Sequence, residues 1–160
     1  MTTTIFDSPL GQVRVTGDNN GVSRISCTDV SSDEPVSTAL PEPVEQAVAQ
    51  LMDYFGGSRQ TFDFLLNPAG TPFQQSVWKA LLDVPYGTTL SYLALSRRLG
   101  DEKAIRAVAA ANGKNPLWIV VPCHRIIGSD GSLTGYAGGL WRKKWLLEHE
   151  QGGSGQLSLF

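Results

Sequence analysis

Apolar and polar residues alternate through three short runs near the start of the chain, at residues 4–6, 13–16 and 22–27. That period of two belongs to strands with one buried face. Between the second and third runs, Asp18-Asn19-Asn20-Gly21 suits a hairpin, because Asn and Gly accept positive φ with little steric penalty. The pattern predicts a small antiparallel meander. From Pro43 the spacing becomes helical: Val44, Ala47, Val48, Leu51, Met52 and Phe55 share one face, and Gly56-Gly57 stops the run. One helix is expected to cover the sheet, with residues 61–66 as a further candidate strand.

Asn67-Pro68-Ala69-Gly70 reads as a linker, and the pattern beyond it is a series of helices. Thr71 is a good N-cap with Pro72 at the first helical position, and Phe73, Val77, Ala80, Leu81 and Val84 make one apolar face that Pro85-Tyr86-Gly87 ends. Ser91 can cap a short helix through Leu99. Gly100 breaks it, and Asp101 can cap another from Glu102 to about Asn112, a helix-turn-helix pattern. The stretch 104–111 has almost no bulk except Ile105, Val108 and the long Arg106. It reads either as a tightly packed core helix or as one whose backbone must approach something closely, such as a nucleic-acid groove. Trp118-Ile119-Val120-Val121 then forms a short buried run that Pro122 interrupts, placing Cys123 at a strand end or turn. The expected organisation is an N-terminal α/β domain at 1–66, a linker at 67–71, a C-terminal domain at 72–150 and a flexible tail at 151–160.

With 160 residues, 41% of them hydrophobic, the chain can bury a real core as one domain or two small ones. Cys27 and Cys123 are its only cysteines, which argues against a disulfide framework or a Cys-rich zinc cluster. The first ten residues include Asp7 and lack a basic stretch followed by an apolar run, so the expectation is a reducing cytoplasm and no membrane. A net charge of −2 hides an uneven distribution. Residues 71–150 hold ten Lys/Arg against six Asp/Glu, whereas residues 1–70 hold three against nine. Any phosphate-facing surface therefore belongs to the second half, with few contacts and moderate salt dependence.

Pro122-Cys123-His124-Arg125 joins a soft nucleophile to an imidazole and a fixed cation. Only the thiolate reacts well, and a free thiol has a pKa of about 8.5, so a His relay and nearby positive charge would raise the reactive fraction at neutral pH. Adjacent side chains on a regular strand point to opposite faces, so the pair needs a turn, with room for a water between Cys123 and His124. An isolated Cys-His dipeptide is otherwise read as a buried structural thiol beside a satisfied surface imidazole.

The surroundings of that dipeptide change the reading. Pro122-Cys123-His124-Arg125, preceded by Asn115-Pro116 and followed by Gly135-Tyr136-Ala137-Gly138-Gly139-Leu140, resembles the active-site region of the O6-alkylguanine-DNA alkyltransferases. The likeness continues through Phe73-Gln74-Gln75-Ser76-Val77-Trp78, Pro85-Tyr86-Gly87, Ser91-Tyr92, Arg106-Ala107-Val108 and Trp145-Leu146-Leu147-Glu148-His149-Glu150. It implies an α+β fold: a small, RNase H-like N-terminal antiparallel sheet with a helix, then a mostly helical, winged-helix-like C-terminal domain with a helix-turn-helix. The first 65 residues match that layout only in outline.

The resemblance also implies roles. Cys123 would accept the alkyl group, His124 would deprotonate it through a water, Glu150 would hold the imidazole, and Asn115 would brace the turn. Tyr92 would donate to guanine N3 as the base leaves. Because a duplex hides the O6-alkyl group, the nucleotide must rotate out, and Arg106 would fill the gap from a helix in the minor groove. Ala107, Ala110, Gly113, Ser91 and Arg125 join it as expected DNA contacts, and Tyr136, Ala137, Gly138, Trp118 and Ile126 as the expected substrate pocket, with ordinary packing an equal alternative for Trp118. Ala137 stands where some relatives carry Ser. The thioether product does not hydrolyse, so each molecule would act once, on O6-alkylguanine and as a further candidate on O4-alkylthymine. No cofactor and no metal are implied; human-type members carry zinc in the first domain, and this chain lacks those ligands.

Gly152-Gly153-Ser154-Gly155 reads as a spacer, and the Gln156, Leu157, Ser158, Leu159, Phe160 ending looks like a bacterial sliding-clamp-binding peptide, the alternative being a disordered or self-packed tail. Double-stranded DNA is the expected partner of a monomer. Two rival functions stand beside alkyl transfer. A damage-recognising module that flips the base without chemistry would replace the cysteine, and a cysteine hydrolase would need an oxyanion hole for which the sequence offers no support.

Overall fold

The computed structural model describes residues 1–30 and 39–152. The tail residues Gln156, Leu157, Leu159 and Phe160 lie outside them. The chain forms two compact units, one of Met1–Ala69 with Pro116–Trp118, the other of Gly70–Asn115 with the chain from Ile119 onward. A contiguous division could not anticipate the return of residues 116–118 to the first unit.

In the first unit, β1 (Thr2–Ser8), β2 (Gly11–Asp18) and β3 (Gly21–Thr28) make an antiparallel meander in that order. Its register sets Thr4 against Val15 and Val15 against Ile25, so Val13, Val15 and Ile25 all fall on the covered face with no exposure. Each such burial contributes about 1.5–3 kcal/mol. The helix α1 (Glu42–Phe55) supplies the other half of this core through Val44, Ala47, Leu51 and Tyr54. Gly17 permits the approach, because a Cβ there would lie 2.6 Å from the Gly21 carbonyl oxygen and 3.1 Å from Val44 Cγ2.

The expected strand at 61–66 reduces to one bridge between Val22 and Leu66. Side chains pull the segment away from regular pairing: Phe62 packs on Tyr54 and on Phe64, and Asp63 is held by Gln50. Residues 116–118 also meet β3, with Ile25 N–H donating to Pro116 O at 2.8 Å and Trp118 N–H to Ile25 O at 3.2 Å.

The second unit begins with α2 (Pro72–Leu81), whose N-terminus carries a full capping box between Thr71 and Gln74. Then come β4 (Leu90–Ser91), α3 (Tyr92–Arg98), α4 (Ile105–Gly113), β5 (Ile126–Ile127) and α5 (Leu140–Glu150). Ser91 caps α3 by accepting from Ala94 N–H. Asp101 caps a 3-10 turn, Glu102–Ala104, that leads into α4 instead of capping the helix directly. Trp78 Nε1–H donates to Ala111 O at 2.9 Å and locks α2 to α4. The parallel pairing of Leu90 with Ile126 and Ser91 with Ile127 brings the start of α3 beside the turn that precedes β5.

The run 118–121 is buried in part but is not a strand. Ile119 has φ of +73°, a left-handed conformation unfavourable for a β-branched residue, so the backbone turns before Pro122. No helix among the described residues is long and apolar enough to cross a membrane.

Candidate active site

Cys123, His124 and Arg125 form a single 3-10 turn, Cys123–Arg125, entered through Pro122. Such a turn rotates about 120° per residue, so neighbouring side chains diverge without facing opposite ways as on a strand. His124 is wholly buried, and its Nε2 lies 2.7 Å from Glu150 Oε2. The same carboxylate takes Arg125 Nε at 2.8 Å and Nη2 at 3.1 Å, and the Gly87 N–H at 3.3 Å.

Burial works against charge on Glu150, but the bonds and charges of His124 and Arg125 outweigh it and hold the carboxyl well below the usual carboxylate range. Burial pushes His124 down, against the pull of Glu150, and the imidazole is neutral. An ionised carboxylate only accepts, so Nε2 carries the proton and Nδ1 carries a lone pair. That Nδ1 is buried without a hydrogen-bond partner. The arrangement is a base, held in one tautomer, with its basic nitrogen free.

Arg125 was expected on the DNA surface and is instead interior, bonded to Glu150 and, through Nη1, to Val84 O at 2.6 Å. A guanidinium so committed fixes the carboxylate and has no reach toward phosphate.

The thiol also departs from expectation. Cys123 is 5% exposed, and burial pushes its pKa up to about 11, opposed by the Asn115 side chain and the charge of Lys143. At rest the group is a protonated thiol, so its proton must leave in the course of reaction. Asn115 is itself fixed by donation from Nδ2 to Val121 O at 2.8 Å, which braces the chain just before the cysteine.

Lys143 escaped the sequence reading. It has no exposure, and its ammonium donates to Ile126 O at 2.6 Å and Thr134 O at 2.9 Å. Burial lowers its pKa to about 8, opposed by the neighbouring Cys123. The signal was present: residues 143, 146, 147 and 150 share one face of α5, which sets Lys143 beside Leu146, Leu147 and Glu150 on the inward side.

A cavity of about 600 Å³ opens beside this cluster. Helices α3 and α4 supply Tyr92, Ile105, Arg106, Ala109, Asn112 and Gly113, and the loop before α5 supplies Thr134, Gly135, Tyr136 and Ala137. Of the residues expected here, Tyr92, Arg106, Gly113, Tyr136 and Ala137 meet at one opening. Cys123 is not among the liners; it adjoins the cavity through Lys143, which bonds Thr134 and lies 5.9 Å from the centre of the Tyr92 ring.

Three expected pocket residues lie elsewhere. Gly138 is buried with its carbonyl bonded to Arg142, Ile126 is in β5 with its carbonyl bonded to Lys143, and Trp118 groups with the first unit. Ile105, Ala109, Asn112, Thr134 and Gly135 were missed, since a helix face and a Gly-rich loop carry no pattern that marks them as liners. The two readings of α4 each describe one side of it. Val108 and Ala111 are buried core, whereas Arg106, Ala107 and Ala110 are exposed.

Residues 72–152 match the family described as 6-O-methylguanine DNA methyltransferase, DNA binding domain. The chain is 44% identical over 149 residues to a methylated-DNA–protein-cysteine methyltransferase of Methanosarcina acetivorans, covering 91% of this chain and 96% of the relative. It is likewise 44% identical over 148 residues to a protein of that name from Mycobacterium bovis, covering 91% and 90%. Among solved structures, that of Mycobacterium tuberculosis OGT in complex with DNA is similar with a TM-score of 0.83 and 42% identity, covering 95% of this chain and 94% of that one.

Proposed function

The chain belongs to the methylated-DNA–protein-cysteine methyltransferases, and from that premise we propose that it repairs DNA by moving the alkyl group of O6-alkylguanine onto its own Cys123. The observation that carries the assignment is the buried His124–Glu150 pair, which leaves His124 Nδ1 as a free base on the residue next to the thiol.

The step balances without a co-reactant. The thiol proton passes through a water to His124 Nδ1, and Glu150 stabilises the imidazolium that forms. The thiolate attacks the alkyl carbon, the S–C bond forms and the C–O6 bond breaks, leaving guanine with the bonding pair. Tyr92 donates toward N3 of the departing base, and the proton taken from sulfur is finally returned to guanine. Lys143 keeps a positive charge near the sulfur as negative charge develops there. A thioether has no good leaving group, so one molecule performs one repair.

Arg106 is read as the side chain that occupies the duplex when the lesion rotates out, and the exposed Ala107 and Ala110 as the small face that lets α4 enter the minor groove. Ser91 and Gly113 complete this DNA-facing set. By the same reading the meander with α1 is RNase H-like, and α3–α4 with β4–β5 is winged-helix-like. The protein acts as a cytoplasmic monomer, with O4-alkylthymine as a second candidate substrate. The segment 156–160 is proposed to dock on a bacterial sliding clamp; equal clamp affinity after truncation beyond Gly155 would end that idea.

Mixing the protein with an oligonucleotide containing O6-methylguanine and weighing it intact tests the central claim. The mass should rise by one methyl in place of hydrogen, located on Cys123, and Cys123→Ser should bind the DNA yet gain nothing. Binding by the unaltered protein with no gain in mass would identify a damage-recognising module instead.

A further inference from the structure

Pro85-Tyr86-Gly87 has no part in the transfer scheme, yet it lies directly against the relay. Residues 85–88 form a tight turn closed on Pro85 O by Thr88 N–H at 3.2 Å and Thr88 Oγ1 at 2.7 Å. Gly87 holds the third position with φ of +76°, which glycine adopts without strain. The chain is tied to the relay on both sides of Tyr86. Val84 O accepts from Arg125 Nη1 at 2.6 Å, Gly87 N–H donates to Glu150 Oε1 at 3.3 Å, and Gln151 Nε2 donates to Gly87 O.

These ties to Arg125 and Glu150 come from backbone; the ring is what Tyr86 adds. Tyr86 is half-buried, and the Arg125 guanidinium carbon lies over its ring, 5.7 Å from the ring centre. A ring face attracts a cation and excludes water from one side of it. Burial and then the charge of Glu150 raise the Tyr86 pKa, so the carboxylate is also within electrostatic reach. The Arg125 and Glu150 side chains are 7% and 1% exposed, which keeps dry an ion pair that water would otherwise screen.

Resting on the alkyl-transfer reading, we propose that Tyr86 is a positioning residue for the relay: its ring covers the Arg125 guanidinium and keeps water from the Glu150 carboxylate behind His124. Arg125 orients that carboxylate with two bonds, and the carboxylate in turn fixes the imidazole. A cover lost at Arg125 is therefore felt at His124, without any contact between Tyr86 and the substrate.

The charges that act on His124 are Glu150 and Lys143 of α5 and Arg125 of its own turn, and burial is the largest cause holding the imidazole neutral. Water admitted at the carboxylate eases that burial, so the imidazole titrates at higher pH. Only the neutral form takes the thiol proton, so the acid limb of transfer moves up in pH.

The test follows transfer from a single-stranded O6-methylguanine oligonucleotide to Cys123, by mass, in single turnover at saturating DNA. In Tyr86→Leu, which keeps bulk and loses the ring, the ratio of the rate at pH 6 to that at pH 8 should fall by about threefold or more. In Tyr86→Phe, which keeps the ring, the ratio should stay within about 1.5-fold of that of the unaltered protein. Each ratio is taken within one preparation, so a misfolded fraction cancels, and Tyr86→Met replaces the Leu variant if that one does not fold. A variant without the ring that keeps the ratio, or a Phe variant that loses as much as it does, overturns the assignment of Tyr86. Failure of the unaltered protein to transfer at either pH would instead overturn the alkyl-transfer reading itself.

Discussion

His124 Nε2 and Glu150 Oε2 lie 2.7 Å apart with side-chain exposures of 0% and 1%, so the proton position on the imidazole is set by a charge that water does not screen. Glu150→Gln keeps the shape and removes that charge. It also strands the buried Arg125 guanidinium, a change that typically destabilises by roughly 3–5 kcal/mol. Transfer from O6-methylguanine should slow by about 100-fold or more, within the range for loss of a positioned general base. Stopped single-turnover kinetics on folded protein measure it; a rate within a few fold of the unaltered chain would show that the pair does not serve the chemistry.

The same pair fixes how stability responds to acid. Glu150 titrates below its unfolded value and His124 does too, so in each case the unfolded chain binds protons that the folded one refuses. Both contributions are present at neutral pH and are lost as pH falls, beginning near the ordinary His value of about 6.5 and steepening below the Glu value of about 4.3. Tm should fall on acidification from pH 7.5 to 4, and the steep lower limb should flatten in Glu150→Gln. A Tm that rises toward pH 5 contradicts the burial of this pair.

The raised thiol pKa predicts a quiet cysteine in the absence of DNA. With a pKa of about 11, Cys123 should react with iodoacetamide at pH 7.5 roughly 100-fold more slowly than an ordinary free thiol, purely from its smaller ionised fraction. The rate should climb about tenfold per pH unit without levelling below pH 9.5. Peptide mapping separates this site from Cys27. A plateau near pH 7 would mean the sulfur is already ionised at rest.

The nucleophile and its base were legible because Cys123 and His124 are adjacent in sequence. Glu150 stands 26 residues from His124, and only the family resemblance pointed to it. Arg125 was misplaced for a physical reason: a cation beside a nucleophile looks like a phosphate ligand until the fold brings Val84 O and Glu150 to it from 41 and 25 residues away. The same limit applies at 118–121, where the sequence left a strand end or a turn open, since apolar composition reports burial and says nothing of the positive φ at Ile119. The short β4–β5 pairing, which sets Leu90 against Ile126 and Ser91 against Ile127, links segments too brief to show any period.

Lys143 offers a sharper test of the electrostatics than the relay does. Replacing it with Met keeps the length of the buried side chain, strands the Ile126 and Thr134 carbonyls and removes the charge that opposes the rise of the Cys123 pKa. Iodoacetamide labelling of Cys123 at pH 8 should slow, and transfer should slow with it by about tenfold or more. Faster labelling in the Met variant would place the ammonium out of reach of the sulfur.

Arg106 separates base rotation from chemistry, because it is exposed on α4 and also lines the cavity. Arg106→Ala removes the side chain that would fill the duplex while leaving Cys123, His124, Glu150 and the cavity floor untouched. Holding a paired nucleotide outside the stack costs a few kcal/mol, so transfer from duplex O6-methylguanine should fall by roughly 10- to 100-fold. A single strand demands no such rotation, and there the rate should change by about threefold or less. One lost phosphate-range charge should lower the salt slope of binding by no more than about one unit. Equal losses on duplex and single strand would assign Arg106 to the pocket wall, with no part in opening the helix.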